Sequence, residues 1–162
     1  MKKPDELRRV LLAHVPALKA NPDRLSLFID QGRIQSRPGA LAFVYGYRLN
    51  LVVQDYAGEV DDLIVPVLAW IGEAQPDLLQ RAPGEPFTFA AELIDENSAD
   101  VSIYIDLTED VIVHINPEGG FSTEHLAEPG DTDIFPDVGC SLLRQLKANG
   151  EIIAESQTPP GQ

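Results

Sequence analysis

Cysteine is nearly missing from this chain, and positive charge is scarce beyond its first third. A single cysteine, Cys140, among 162 residues excludes an internal disulfide and any CxxC metal or redox pair. Such a chain suits a reducing interior. No apolar run approaches the ~20 residues that span a bilayer, so no membrane partner is expected. The start Met1-Lys2-Lys3-Pro4-Asp5-Glu6 lacks the apolar core of a secretory signal, and synthesis in a cytoplasm is expected. GxGxxG and GxxxxGK[ST] phosphate cradles, GxSxG elbows and HExxH zinc motifs are all absent. Catalytic sets assembled from distant positions leave no such local trace.

What remains is ordinary for a folded domain. Hydrophobic residues make up 44% of the chain, enough for a packed core and against a disordered chain. The net charge of −14 is unevenly spread. Residues 1–48 carry nine Lys or Arg and four Asp or Glu, a net +5, while residues 49–162 carry three and twenty-two, a net −19. Nucleic acid is not an expected partner, because phosphate contacts need clustered positive charge. The acidic part can simply be solvated surface. Alternatively, the basic face of one protomer meets the acidic face of the next, a head-to-tail contact that makes rings when the rotation closes.

Periodicity predicts an α+β fold. Leu7, Val10, Leu11, Val15 and Leu18 are spaced as one helix face, which Pro16 should kink or end. His14 lies beside that stripe and is expected to pack with it. Leu25, Leu27 and Ile29 open a strand; Ile34 has the opposite parity, so a bulge is expected near Gly32. Pro38-Gly39 should turn the chain into a second strand, in which Leu41, Phe43, Tyr45, Tyr47, Leu49, Leu51 and Val53 occupy every odd position. Thirteen residues of strand reach ~40 Å, so this hairpin must bend round the core or project from it.

Leu63 to Ile71 is apolar on all sides and predicts a largely buried helix. It starts near Pro66, or at Asp61 with a bend. Alternation returns in Phe87–Leu93, Val101–Leu107 and Val111–Ile115, with Gly119-Gly120 as a tight turn to Phe121. Residues 127–139 should form an acidic loop, Ser141–Lys147 a short helix stopped by Asn149-Gly150, and residues 156–162 a disordered tail. The expected fold is thus a mostly antiparallel sheet with a long N-terminal hairpin, packed against two helices, as one domain over residues 1–155.

Candidate chemistry is thin. With a two-residue loop at Gly119-Gly120, His114 would face His125, and Glu124 could complete a metal site. Asp131, Asp133 and Asp137 resemble a calcium loop, except that Pro136 stands where glycine is required. The pairs Asp95–Glu96 and Glu109–Asp110 are expected as solvated turn carboxylates. Cys140 has no identifiable base partner. Tyr45, Tyr47 and Tyr56 fit an inward core stripe or an interface. No catalytic, cofactor-binding or metal residue is assigned.

One block adds a resemblance. Asn-Pro-Asp-Arg-Leu at 21–25, Gln-Gly-Arg-Ile at 31–34, Asp-Tyr-Ala-Gly at 55–58 and Gln-Pro-Asp-Leu-Leu at 75–79 occur in an order and spacing that resemble the R-type tail completion proteins of peduovirus-like contractile-tailed phages. The resemblance covers about residues 2–126, with little to align beyond Leu126. It implies a non-enzymatic protein acting late in assembly, capping the head-proximal end of the tail and preparing it for head joining. No cofactor or catalytic residue is implied. Its implied partners are the tail tube, sheath proteins, head completion or connector proteins, and copies of itself. By extension, a terminator-like ring is expected. It implies assembly in the host cytoplasm and residence in the virion tail. The alternative is a small acidic metal-binding protein or enzyme built on the 114–125 hairpin.

Overall fold

The computed structural model describes residues 1–39, 41–95, 98–128, 145–148 and 151–155. These belong to two compact units, residues 1–128 and 129–162. In the first, α1 (Lys3–His14) ends at Val15, and Pro16 opens a short α2 (Pro16–Ala20). Proline is tolerated there because the first helical N–H has no intrahelical partner. Leu7, Leu11, Val15 and Leu18 are fully buried. His14 is exposed, contrary to expectation. It is the last residue of α1, and the chain turns at Val15, which takes the buried position instead.

A 3-10 turn, Pro22–Arg24, leads into β1 (Leu25–Ser36), which pairs antiparallel with β2 (Phe43–Tyr56). The register shifts between Asp30 and Arg33, where Gln31 has φ 53°. The bulge expected near Gly32 is therefore present. Gly39, with φ 81°, makes the turn as Pro38-Gly39 predicts. The second strand starts at Phe43 rather than Leu41. A second bulge lies between Val53 and Tyr56, with Asp55 at φ 48°. It changes parity, so the even-numbered Tyr56 joins the odd-numbered Leu49, Leu51 and Val53 in the core. Gly58 lets the chain pass over that ring, since a Cβ there would sit 2.6 Å from the Tyr56 hydroxyl.

The next helix, α3 (Asp61–Ala74), begins at Asp61 and contains Pro66. Only one stripe of it is buried: Leu63, Val67, Trp70 and Ile71. Val65 is 63% exposed and Leu68 is 37% exposed, so the expectation of a largely buried helix is corrected. Helix α3 packs on α1 and the sheet, which cover its buried stripe and leave these side chains out. A short α4 (Asp77–Gln80) precedes β3 (Thr88–Leu93).

The alternations around Val101–Leu107 and Val111–Ile115 form one strand, β4 (Ala99–Ile115), not two. The sheet order is β1-β2-β4-β3, and β5 (Phe121–His125) also pairs with β4. Strand β4 runs beside β2 from Phe43 to Tyr56. The long hairpin is thus no two-stranded ribbon, because a third strand supports it. Odd positions of β2 and β4 face α1 and α3, and Leu49, Leu51, Val101, Ile103 and Ile105 have no exposed area. Each buried Leu or Ile contributes about 1.5–3 kcal/mol. The opposite face is polar, with Arg48 bonded bidentately to Asp106 at 2.8 and 3.1 Å. That hydrogen-bonded guanidinium holds the Asp106 carboxyl below its ordinary value.

In the second unit, β6 (Gln145–Ala148) pairs antiparallel with β7 (Glu151–Glu155). Residues 145–147 are strand, which corrects the helix expected there. The expected helix stop, Asn149-Gly150, lies outside the described residues, and as a sequence signal Asn-Gly favours hairpins as much as helix ends. Strand pairing overrides a weak helical preference. The expected tail, residues 156–162, lies outside the described residues. No helix among the described residues is long and apolar enough to cross a membrane.

Candidate functional site

Between the end of β3 and the start of β5, the edge of β4 lacks a strand partner from Ile105 to Glu109. The junction between α3 and α4 fills part of that gap. Gln75 is buried there and uses every hydrogen-bonding position of its carboxamide. Oε1 accepts from Lys3 Nζ at 2.7 Å and from the Thr108 amide at 3.1 Å. Nε2 donates to Asp77 Oδ1 and Thr108 Oγ1, both at 2.8 Å. A side chain thereby stands in for a missing strand neighbour. Lys3 is itself buried and pairs with Glu128 at 2.6 Å.

One residue further along β4, Glu109 is also buried. Its carboxylate accepts from the Tyr47 hydroxyl at 2.5 Å, the Lys2 amide at 2.8 Å and His125 Nδ1 at 2.7 Å. A carboxylate can only accept, so Nδ1 carries the proton. Burial alone would raise the Glu109 pKa, but these donors outweigh it and hold it below the ordinary value. Tyr47 shifts upward, first through burial and then through the hydrogen bond to Glu109. His125 also stacks on Tyr45, with ring centroids 6.3 Å apart.

This knot corrects the expectation for Glu109 and Asp110. Glu109 is not a solvated turn residue but a buried acceptor in mid-strand, while Asp110 accepts the Leu126 amide through its backbone carbonyl. Sequence reasoning missed Glu109, Lys3 and Gln75. For Glu109 a signal existed: it continues the odd parity of Leu107 and Val111. Nothing local marks Lys3 or Gln75, whose partners are distant in sequence.

The two hairpin histidines are not brought together. The β4–β5 loop runs from Asn116 to Gly120, closed by an Asn116 amide bond to the Gly120 carbonyl at 3.1 Å. His114 is therefore opposite Ser122, and His125 is opposite Val111. His114 lies on the polar face, 3.1 Å from the exposed Glu124, and His125 lies on the helix side. The register that would have paired them is overturned by three extra loop residues. Among the described residues, no group of three His, Cys, Asp or Glu side chains could hold a metal. His125 and Glu109 resemble the base and orienting acid of a triad. No nucleophile is hydrogen-bonded to His125 among the described residues. Of the tyrosines, Tyr47 and Tyr56 belong to the core and Tyr45 packs against it. Asp95 has a partner. Glu96, Asp131, Asp133, Asp137 and Cys140 lie outside the described residues.

The charged groups of the knot thus fasten the N-terminus, α3, β2, β4 and β5 to one another. Both edge strands carry exposed apolar side chains, Phe28, Ile29 and Ile34 on β1 and Phe89 and Leu93 on β3, as do α3 with Val65 and Leu68 and the β4–β5 hairpin with Ile115 and Phe121. The described fold is thus an α+β scaffold with a hydrogen-bonded polar knot on one side of its sheet and open strand edges. The chain belongs to the P2 phage tail completion protein R (GpR) family, whose model matches residues 1–129. It is 40% identical over 158 residues to tail completion protein R of Escherichia phage P2, covering 96% of this chain and 98% of that one. The similarity therefore continues beyond Leu126, where little had been expected to align. No solved structure matches the chain.

Proposed function

We propose that this chain is a non-enzymatic assembly protein that completes the head-proximal end of a phage tail and prepares it for joining to the filled head. The observation that carries this reading is its similarity, over nearly its whole length, to a tail completion protein. The fold supports it, because the buried ionisable groups are already taken up by structural hydrogen bonds. The partners in this reading are the tail tube, sheath proteins, head completion or connector proteins, and further copies of the chain. Nucleic acid and membrane are not among them. Assembly takes place in the host cytoplasm, and the product stays with the virion tail.

Complementation tests the proposal. A phage deleted for its tail completion protein should yield tails of irregular length, or tails without heads, by electron microscopy. Supplying this chain should restore joined virions, and the purified chain should bind isolated tail tubes more weakly as salt rises. Normal virions in its absence would overturn the proposal.

A further inference from the structure

The described sheet has unpaired outer edges on β1, β3 and the short β5, and β1 and β3 are its two margins, the ends of the order β1-β2-β4-β3. Open edges are templates for pairing, and proteins commonly guard them with lysine, proline or inward charge. Strand β3, Thr-Phe-Ala-Ala-Glu-Leu, has no proline, lysine or register shift. All six of its residues are exposed, with Leu93 at 81% and Phe89 at 56%.

The two margins are complementary in three respects. In charge, residues 24–37 carry Arg24, Arg33 and Arg37 against Asp30, while residues 85–95 carry Glu85, Glu92 and Asp95 with no basic residue. In facing, Phe89, Ala91 and Leu93 pair with Ile103, Val101 and Ala99, and so lie on the helix side. Ile29 and Ile34 pair with Leu49 and Tyr45, on that same side. Arg33 and Glu92 both project from the polar face. In direction, each neighbouring pair is antiparallel, so β1 runs opposite to β3. A copy related by rotation about an axis along the strands therefore presents its β1 antiparallel to β3, with the helices on the same side. Glu92 adds a further reason, since it sits directly across from Asp100. Like charges so placed repel, and among the described residues no cation pairs with Glu92.

We infer that β3 of one copy receives β1 of a second copy along their outer edges, extending the sheet from protomer to protomer. The contact joins unlike surfaces, so it closes into a ring or continues as a filament. Pairing β3 with β3, or β1 with β1, would instead bring like charges together. The inference deepens the assembly reading by naming the surfaces through which copies meet.

Sedimentation velocity of the purified full chain provides the test. The wild-type chain should associate at low salt and dissociate as salt rises. Glu92→Arg and Arg33→Glu, both exposed changes, should each weaken association about tenfold without lowering the thermal midpoint. Equal amounts of the two variants mixed, or both changes in one chain, should restore it. A wild-type chain that stays monomeric, or single variants that associate normally, would overturn the inference. So would a loss that neither the mixture nor the double variant repairs. If either charge change unfolds the chain, Leu93→Ser replaces it and must still weaken association. A monomeric chain that nevertheless restores tails removes edge pairing and leaves the assembly proposal standing. A chain that pairs by its edges but restores no tails does the reverse.

Discussion

Strand β4 has two neighbours with opposite surroundings. On one side, Ile103 lies beside Leu51, which has no exposed area; on the other it lies beside Phe89, which is 56% exposed. Ala99 likewise stands between the buried Tyr56 and the exposed Leu93. Strand β2 is paired on both sides and roofed by α1 and α3, whereas β3 is paired on one side and has no such cover among the described residues. The same apolar alternation thus serves two purposes, core in β2 and accessible surface in β3. Alternation reports which way a side chain faces. It does not report whether anything lies above it.

The largest expected effect would break this comparison if it failed. Leu51→Ala removes a fully buried side chain from the middle of the sheet and should cost about 3–5 kcal/mol. Phe89→Ala, on the other side of the same Ile103, should change stability by only about 0.5 kcal/mol. Urea unfolding of both variants measures the difference. Similar losses would mean that β3 is covered in solution, for instance by another copy.

The second effect sets the polar knot against both strands. Glu109→Gln keeps the shape but turns one oxygen into a donor among three donors, at a cost of about 2–3 kcal/mol. The pH dependence has a definite sign. Because the folded pKa of Glu109 lies below its ordinary value of 4.5, its contribution is fully present above that value. It is lost as pH falls through the lower folded value. Thermal midpoints followed into acid should therefore fall more steeply for wild type than for Glu109→Gln. Parallel curves would show that the carboxylate does not stabilise the fold.

Much of the β2 side was legible in the chain itself. The parity of Tyr47–Val53, the bulge near Gly32, the Pro38-Gly39 turn and the break at Pro16 all follow from local chemistry. The knot was less so. Glu109 kept the strand parity, yet two adjacent acids looked like a turn, because polarity was allowed to outweigh period. Lys3 and Gln75 were illegible for a different reason: they meet only when the N-terminus crosses the end of α3. The His114–His125 pairing failed on loop length, which Gly119-Gly120 does not fix. The exposure of Val65 and Leu68 also has no local signal, because an apolar residue reads alike under a neighbouring element and under water.

That ambiguity makes the smallest stability effect the sharpest test of the comparison. Leu93 is the most exposed large apolar residue described on the sheet, and its backbone pairs with Ala99 alone. Leu93→Ser removes apolar area that the isolated fold does not bury, so its unfolding free energy should move by no more than about 0.5 kcal/mol. If a second copy covers β3, that same area is buried on association, and losing it should weaken the contact by about 1.4 kcal/mol, or tenfold. Strand β2 could not give this dissociation of effects, because any change there lowers folding and assembly together. Unfolding and sedimentation of the one variant thus separate the two uses of an apolar strand. A stability loss as large as that of Leu51→Ala would mean that β3 belongs to the core after all. Unchanged stability with unchanged association would leave its apolar face without a partner.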